Sequence, residues 1–163
     1  MPLQMMMKID GVIGDSKSFK HKGWADILSW NWGLTSNRKS SQGVDGDKTN
    51  LNELSIIKVI GNDSSGIRLL FAQGKTIPNV EFSISPVVAK REPAKSYVDI
   101  KMENVVIKSI ITGGGIDDDF FKEHITLLYE KIRFEYNRNI GADEKIREPD
   151  FEWNVPDNAE WAQ

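Results

Sequence analysis

The sequence predicts a mainly β fold, a small β-barrel or sandwich with one short helix, on three observations. Apolar residues recur at every second position through much of the chain, one segment has helical spacing, and the apolar parity shifts inside two long apolar stretches. At 163 residues, 39% hydrophobic and 28% charged, residues 1–163 fit one domain with a proper core, since domains run to roughly 100–150 residues.

Val98-Asp99-Ile100-Lys101-Met102-Glu103 alternates strictly, and Val80-Glu81-Phe82-Ser83-Ile84 does so again. Leu28-Ser29-Trp30-Asn31-Trp32-Gly33-Leu34 reads as a half-buried strand with Leu28, Trp30, Trp32 and Leu34 on its apolar face. Alternation of this kind belongs to antiparallel sheets with one wet face. Met5, Met7 and Ile9 mark an opening strand, and Leu54 to Ile60 a further one. In the stretch from Ile125 to Tyr136 the apolar positions are odd through Tyr129 and even from Ile132, so the buried face changes near Lys131. A bulge or a strand passing between two sheets makes such a switch. Val105 to Ile111 is apolar at both parities, as in a strand covered on two faces.

Asp63 to Gly74 is the helical segment. Ile67, Leu70 and Phe71 form its apolar stripe, Asp63 or Ser64 suits the start, and Gly74 suits the left-handed end. Thr35 to Asn52 is a long polar loop, and loops beyond about 12–15 residues in a compact domain are functional or disordered. Thr112-Gly113-Gly114-Gly115 followed by Asp117-Asp118-Asp119 reads as a hairpin tip. Residues 137–163 form a polar C-terminal segment containing Phe151, Trp153 and Trp161.

Composition removes several classes of function. With 21 basic and 24 acidic residues the net charge is −3, too balanced for a binder of phosphate backbones, so no nucleic acid is expected. Zero cysteines exclude disulfides, thiolate catalysis and Cys-ligated metals. The opening Met1 to Met7, followed at once by Lys8 and Asp10, does not read as a secretory signal. No apolar run approaches the ~20 residues of a membrane helix, so no membrane insertion is expected.

The two histidines, His21 and His124, sit in no nucleophile motif and cannot form a multi-histidine metal site. Asp117 to Asp119 with Asp45 and Asp47 lack the order of a calcium loop, and Gly113 to Gly115 lack the Lys-Ser/Thr of a phosphate loop. Trp30 and Trp32 suit core packing better than ligand stacking. The residues therefore favour a structural or interaction protein with no catalytic, metal or cofactor site.

A set of short motifs in fixed order then resembles the haemolysin-coregulated protein family of the bacterial type VI secretion system. These are Lys8-Ile9-Asp10-Gly11, Gly14-Asp15-Ser16 and His21; Ile27-Leu28-Ser29-Trp30-Asn31-Trp32-Gly33; Leu54-Ser55-Ile56-Ile57-Lys58; Ile110-Ile111-Thr112-Gly113-Gly114; Glu123-His124-Ile125-Thr126-Leu127 with Ile132 and Tyr136; and Trp153-Asn154. Asp15 stands where the family usually has Glu, and Glu152 where it has Gly.

The resemblance implies two antiparallel sheets forming a β-barrel with a flanking helix, in a structural tube subunit rather than an enzyme. It implies homohexameric rings stacked into an expelled tube, with a contractile sheath, a valine–glycine repeat spike protein and secreted effectors as partners. The subunit would be made in the bacterial cytoplasm and secreted without a cleaved signal peptide. Within the long loop, Gly43, Val44, Asp45, Gly46, Asp47 and Lys48 become candidates for subunit or ring-stacking contacts. Asp99, Lys101 and Glu103, opposite the buried parity, and the Gly113, Gly114 and Gly115 turn become candidates for channel and cargo contact. A small-ligand-binding barrel and a phage-like tail tube protein are the alternatives.

Overall fold

The computed structural model describes residues 2–18, 20–36, 49–87, 97–137 and 149–161. Its spine is β8, the 16-residue strand Val98–Gly113. The first half of β8 pairs with β7 (Ile77–Pro86) and β10 (Lys131–Tyr136), and the second half pairs with β9 (Lys122–Leu128). One strand thus serves two sheets.

The change of sheet falls at Asn104, whose φ is +53°. Asn tolerates this left-handed conformation better than most side chains. One residue spent there turns the strand over, so burial moves from Val98, Ile100 and Met102 to Val105 and Ile107. The mixed parity of Val105 to Ile111 comes from a second irregularity, a bulge between Ile107 and Ser109, and not from cover on two faces, for among the described residues Val106 and Ile111 are left exposed.

The first sheet runs β12-β11-β10-β8-β7-β1-β2, where β1 is Leu3–Ile9, β2 Ala25–Ile27, β11 Phe151–Asn154 and β12 Ala159–Glu160. The second runs β8-β9-β6-β3, with β6 at Leu54–Val59 and β3 at Ser29–Asn31. All their pairings are antiparallel. The parity change near Lys131 is the passage from β9 in the second sheet to β10 in the first. The two sheets meet again at Leu28, whose N–H donates to the carbonyl of Ile57 at 2.8 Å. No continuous ladder joins β2 to β6, so among the described residues the architecture is two joined antiparallel sheets, and a closed barrel is not formed.

That seam breaks the strand expected over residues 28–34. β2 pairs with β1 in one sheet, β3 with β6 in the other, and β4 (Leu34–Ser36) leaves to form a two-stranded ribbon with β5 (Thr49–Leu51). Ala25 and Ile27 are the buried residues, Trp30 and Trp32 are half-buried, and Leu28 and Leu34 face solvent. Trp30 still packs on the core through Phe82, with ring centroids 5.4 Å apart.

The helix α1 spans Ser64–Ala72. Asp63 precedes it without a side-chain cap, and Ser64 Oγ instead accepts from the N–H of Gly61 at 2.9 Å. Its end is a paired closure: Gly74, at φ +63°, donates to Phe71 O at 3.0 Å, and Lys75 to Leu70 O at 3.2 Å. Ile67 is buried and Leu70 partly so, but Phe71 is exposed, which narrows the expected stripe. Arg68 shares the sheet-facing side with Ile67, tied to Glu123 of β9, and this orientation turns Phe71 outward.

Candidate functional site

The outer face of the first sheet is built by register. Lys8, Glu81, Lys101, Arg133 and Glu152 lie opposite one another in a single row across β1, β7, β8, β10 and β11. Each neighbours a core position on its own strand, so alternation alone sends it to the wet side. A second row joins Ser83, Asp99 and Glu135, and a third joins Asn79, Glu103, Lys131 and Asn154. Arg133 pairs with Glu135 at 3.4 Å and also with Glu152, and Lys131 lies 3.9 Å from Glu103.

Trp161 lies over this corner, its ring centre 5.5 Å from Lys131 Nζ and 5.8 Å from the Arg133 guanidinium. A groove of about 400 Å³ runs between Trp161 and Asn79, floored by Glu81, Lys101, Glu103 and Arg133. Such a surface offers alternating charge to polar chains and no nucleophile.

Beside the groove, residues 11–18 and 20–24 fold back as a flap. Gly14 N–H donates to Gly23 O at 2.7 Å, Ser16 N–H to Trp24 O at 2.8 Å, and Gly23 N–H to Ser16 O at 3.0 Å. A Cβ on Gly14 would sit 2.5 Å from Trp24 O, so the two arms approach as only glycine allows. Ser16 Oγ meets Met6 Sδ at 3.2 Å, placing the flap over β1. His21 is buried beneath it, edge-on to Trp24 at 4.5 Å. Burial, then the Lys20 charge, hold this imidazole below its ordinary value, while Asp99 and Glu81 pull it upward.

Against the second sheet lies a buried ion cluster. Lys58 Nζ donates to Glu123 Oε2 at 2.8 Å and lies 3.1 Å from Asp63 Oδ1, all three side chains being almost fully enclosed. Arg68 donates to Glu123 Oε1 at 2.6 Å and to Thr112 Oγ1 at 2.7 Å. Burial pushes the Glu123 carboxyl up, but hydrogen bonds from Lys58 and Arg68 outweigh it and leave it below the usual carboxylate range. Two cations meet two anions, which makes a clamp of helix, β6, β8 and β9. Among the described residues no group of three or more His, Asp or Glu is placed to hold a metal ion.

With this geometry in place, likeness to known proteins decides the family. The family model described as "Type VI secretion system effector, Hcp" matches residues 6–136. The chain belongs to the Hcp family. Protein hcp1 of Pseudomonas aeruginosa strain PAO1 is 28% identical over 163 residues, covering 98% of this chain and 99% of its own. The crystal structure of Hcp1 from Salmonella typhimurium superposes with a TM-score of 0.77 at 20% identity, covering 99% of this chain and 100% of its own. A type VI secretion system effector from Yersinia pestis gives 0.72 at 22% identity, covering 93% and 99%. As a member of the Hcp family the chain is a secreted structural component of the type VI system, not an enzyme.

Of the candidate residues in this Hcp chain, Asp99, Lys101 and Glu103 share the charged face, and Lys101 and Glu103 line the groove. Asn137 Nδ2 donates to Asp99 at 2.9 Å. Gly113, Gly114 and Gly115 are not with them: they lie at the other end of β8, where the hairpin turns toward β9. Gly43, Val44, Asp45, Gly46, Asp47 and Lys48 lie outside the described residues. The base of their loop is the β4–β5 ribbon, held to the body where Tyr129 O–H donates to Asn52 O at 2.6 Å and Trp32 Nε1 donates to Tyr129 at 2.6 Å. Burial pushes the Tyr129 phenol up to about 12, against the Trp32 hydrogen bond, so it stays a neutral donor.

The ion cluster is what sequence reasoning missed in this Hcp chain, and a signal for it existed. Lys58 shares the inward parity of Leu54 and Ile56, and Glu123 that of Ile125 and Leu127. Opposite charges on the apolar parity of two strands mark a buried pair.

Proposed function

We propose that the chain is a tube subunit, assembling into hexameric rings that stack head to tail and are expelled with effectors in their channel. The observation that carries this reading is the ribbon. β4 and β5 bond to no other strand among the described residues, and all of β4 is exposed. Leu51 packs on the core and Tyr129 anchors the base of the ribbon, but a hairpin with no third strand is at best marginal in water, so a neighbouring subunit is the natural cover for exposed Leu34.

In this reading Gly43 to Lys48 reach the next subunit or ring, and the charged face of Asp99, Lys101 and Glu103 looks into the channel. Mixed charge keeps a conduit wet, whereas a broad apolar lining would hold passengers and aggregate free rings. The sheath surrounds the tube and the spike protein caps it. Sedimentation velocity with negative-stain imaging tests the reading: rings of uniform diameter are expected, and a discrete monomer at every concentration would overturn it. Deleting residues 42–48 should leave the fold intact and weaken stacking.

A further inference from the structure

The β8–β9 hairpin tip leaves apolar side chains exposed among the described residues, with Lys122 over one of them, Phe120, at 5.9 Å from its ring centre. Ile116 is 100% exposed, and Phe120 and Phe121 about half. The tip is nevertheless held firmly. Gly115 N–H donates to Asp118 Oδ2 at 2.6 Å and Asp118 N–H to Gly115 O at 3.1 Å. Phe121 lies across Gly114, where a Cβ would fall 2.0 Å from its ring. With Asp118 engaged in the turn, Asp117 and Asp119 form no ion pair among the described residues. The result is a rigid apolar wedge flanked by two uncommitted carboxylates. An exposed apolar patch rimmed by charge is the mark of a protein interface.

The flap carries the opposite charge. Lys17, Lys20 and Lys22 are all exposed, with no acidic residue between 16 and 24. They too form no ion pair among the described residues. The flap's backbone bonds fix their positions, and Ile13, 70% exposed, stands against Gly23 as an apolar neighbour. No hydrogen bond or ion pair joins tip to flap within the chain among the described residues.

We infer that the hairpin tip around Ile116 and Phe121 of one copy docks on the Lys17–Lys20–Lys22 flap of the next. Charge complementarity selects the occupant, and pairing two different surfaces lets the contact repeat from copy to copy. This deepens the tube-subunit reading and rests on it.

Charge reversal in two variants tests the contact. One carries Asp117→Lys and Asp119→Lys; the other carries Lys17→Asp, Lys20→Asp and Lys22→Asp. Each variant alone then presents like charges at both surfaces, whereas an equimolar mixture restores opposite charges at every tip–flap junction. Each should retain the parental circular dichroism and thermal transition, lose association by at least about tenfold in sedimentation, and regain it on mixing. Parent-like assembly of either variant, or failure of the mixture to recover, would overturn the docking contact while the parental rings still stand. A parent that is monomeric throughout would instead sink the tube reading.

Discussion

The charged face of the first sheet and the ion cluster against the second use the same side chains for opposite ends. On the first sheet, Glu81, Lys101 and Arg133 occupy the outward parity, where Lys101 is open to water and Arg133, though largely covered by Trp161, is matched by Glu135 and Glu152. On the second, Lys58 and Glu123 occupy the inward parity, where a charge survives only if it is matched. The match is incomplete at Asp63, whose Oδ1 serves Lys58 while its buried Oδ2 has no hydrogen-bond partner among the described residues. Parity therefore decides which charges hold the fold and which remain available for partners.

The sharpest way to break the comparison is Lys58→Met. It leaves Glu123 with Arg68 as its one cation and Asp63 with none among the described residues. Removing one partner of a buried ion pair costs about 3–5 kcal/mol, a large part of a small domain's stability. Chemical denaturation should show a midpoint shift of that size. A change below about 1 kcal/mol, the level of a surface pair, would place Lys58 in water and erase the distinction.

Acid should separate the two regions in sequence. His21 has a folded value below its unfolded one, so its contribution is fully present above the ordinary histidine range and is lost as pH falls toward the lowered value. Glu123 is also depressed, so its contribution is complete above the ordinary glutamate range and disappears only as pH falls through its lowered value. Stability against pH should fall in two steps, the flap first and the clamp later. His21→Gln should remove the upper step and Glu123→Gln the lower. A single acid limb unaffected by either substitution would contradict the assignment.

Strict alternation made much of this architecture legible. Val98 to Met102 have the burial their spacing predicts, which also placed Asp99, Lys101 and Glu103 on one face, and Val80 to Ile84 follow it except at Ser83, which is buried on the outward parity. Reading failed where the chain changes sheets. At Asn104 an extra polar residue after Glu103 accompanies the reversal of parity, whereas at Leu28 the chain changes sheets with an apolar residue turned to solvent, a reversal that period-two reasoning cannot see. The flap was illegible because its order comes from backbone bonds across Gly14, Ser16 and Gly23, which leave no periodicity. Lys58 and Glu123 were legible in principle, as charges on an apolar parity.

The smallest effect on stability should come from the row itself. Lys101→Glu sets like charge beside Glu81 while replacing the Lys101–Arg133 repulsion by an attraction, and cross-strand pairs of exposed charges are worth only about 0.2–1 kcal/mol. The melting transition should therefore move little, and the difference should shrink further in salt, where exposed charges are screened beyond roughly 8–10 Å. Effector capture should behave differently. Lys101 and Glu103 floor the groove beneath Trp161, so reversing one of them changes the sign of what a passing polar chain meets. Pull-down of a cognate effector should weaken with Lys101→Glu and with added salt. Capture indifferent to both would show that this face meets no cargo, leaving its charges only the task of keeping the surface wet.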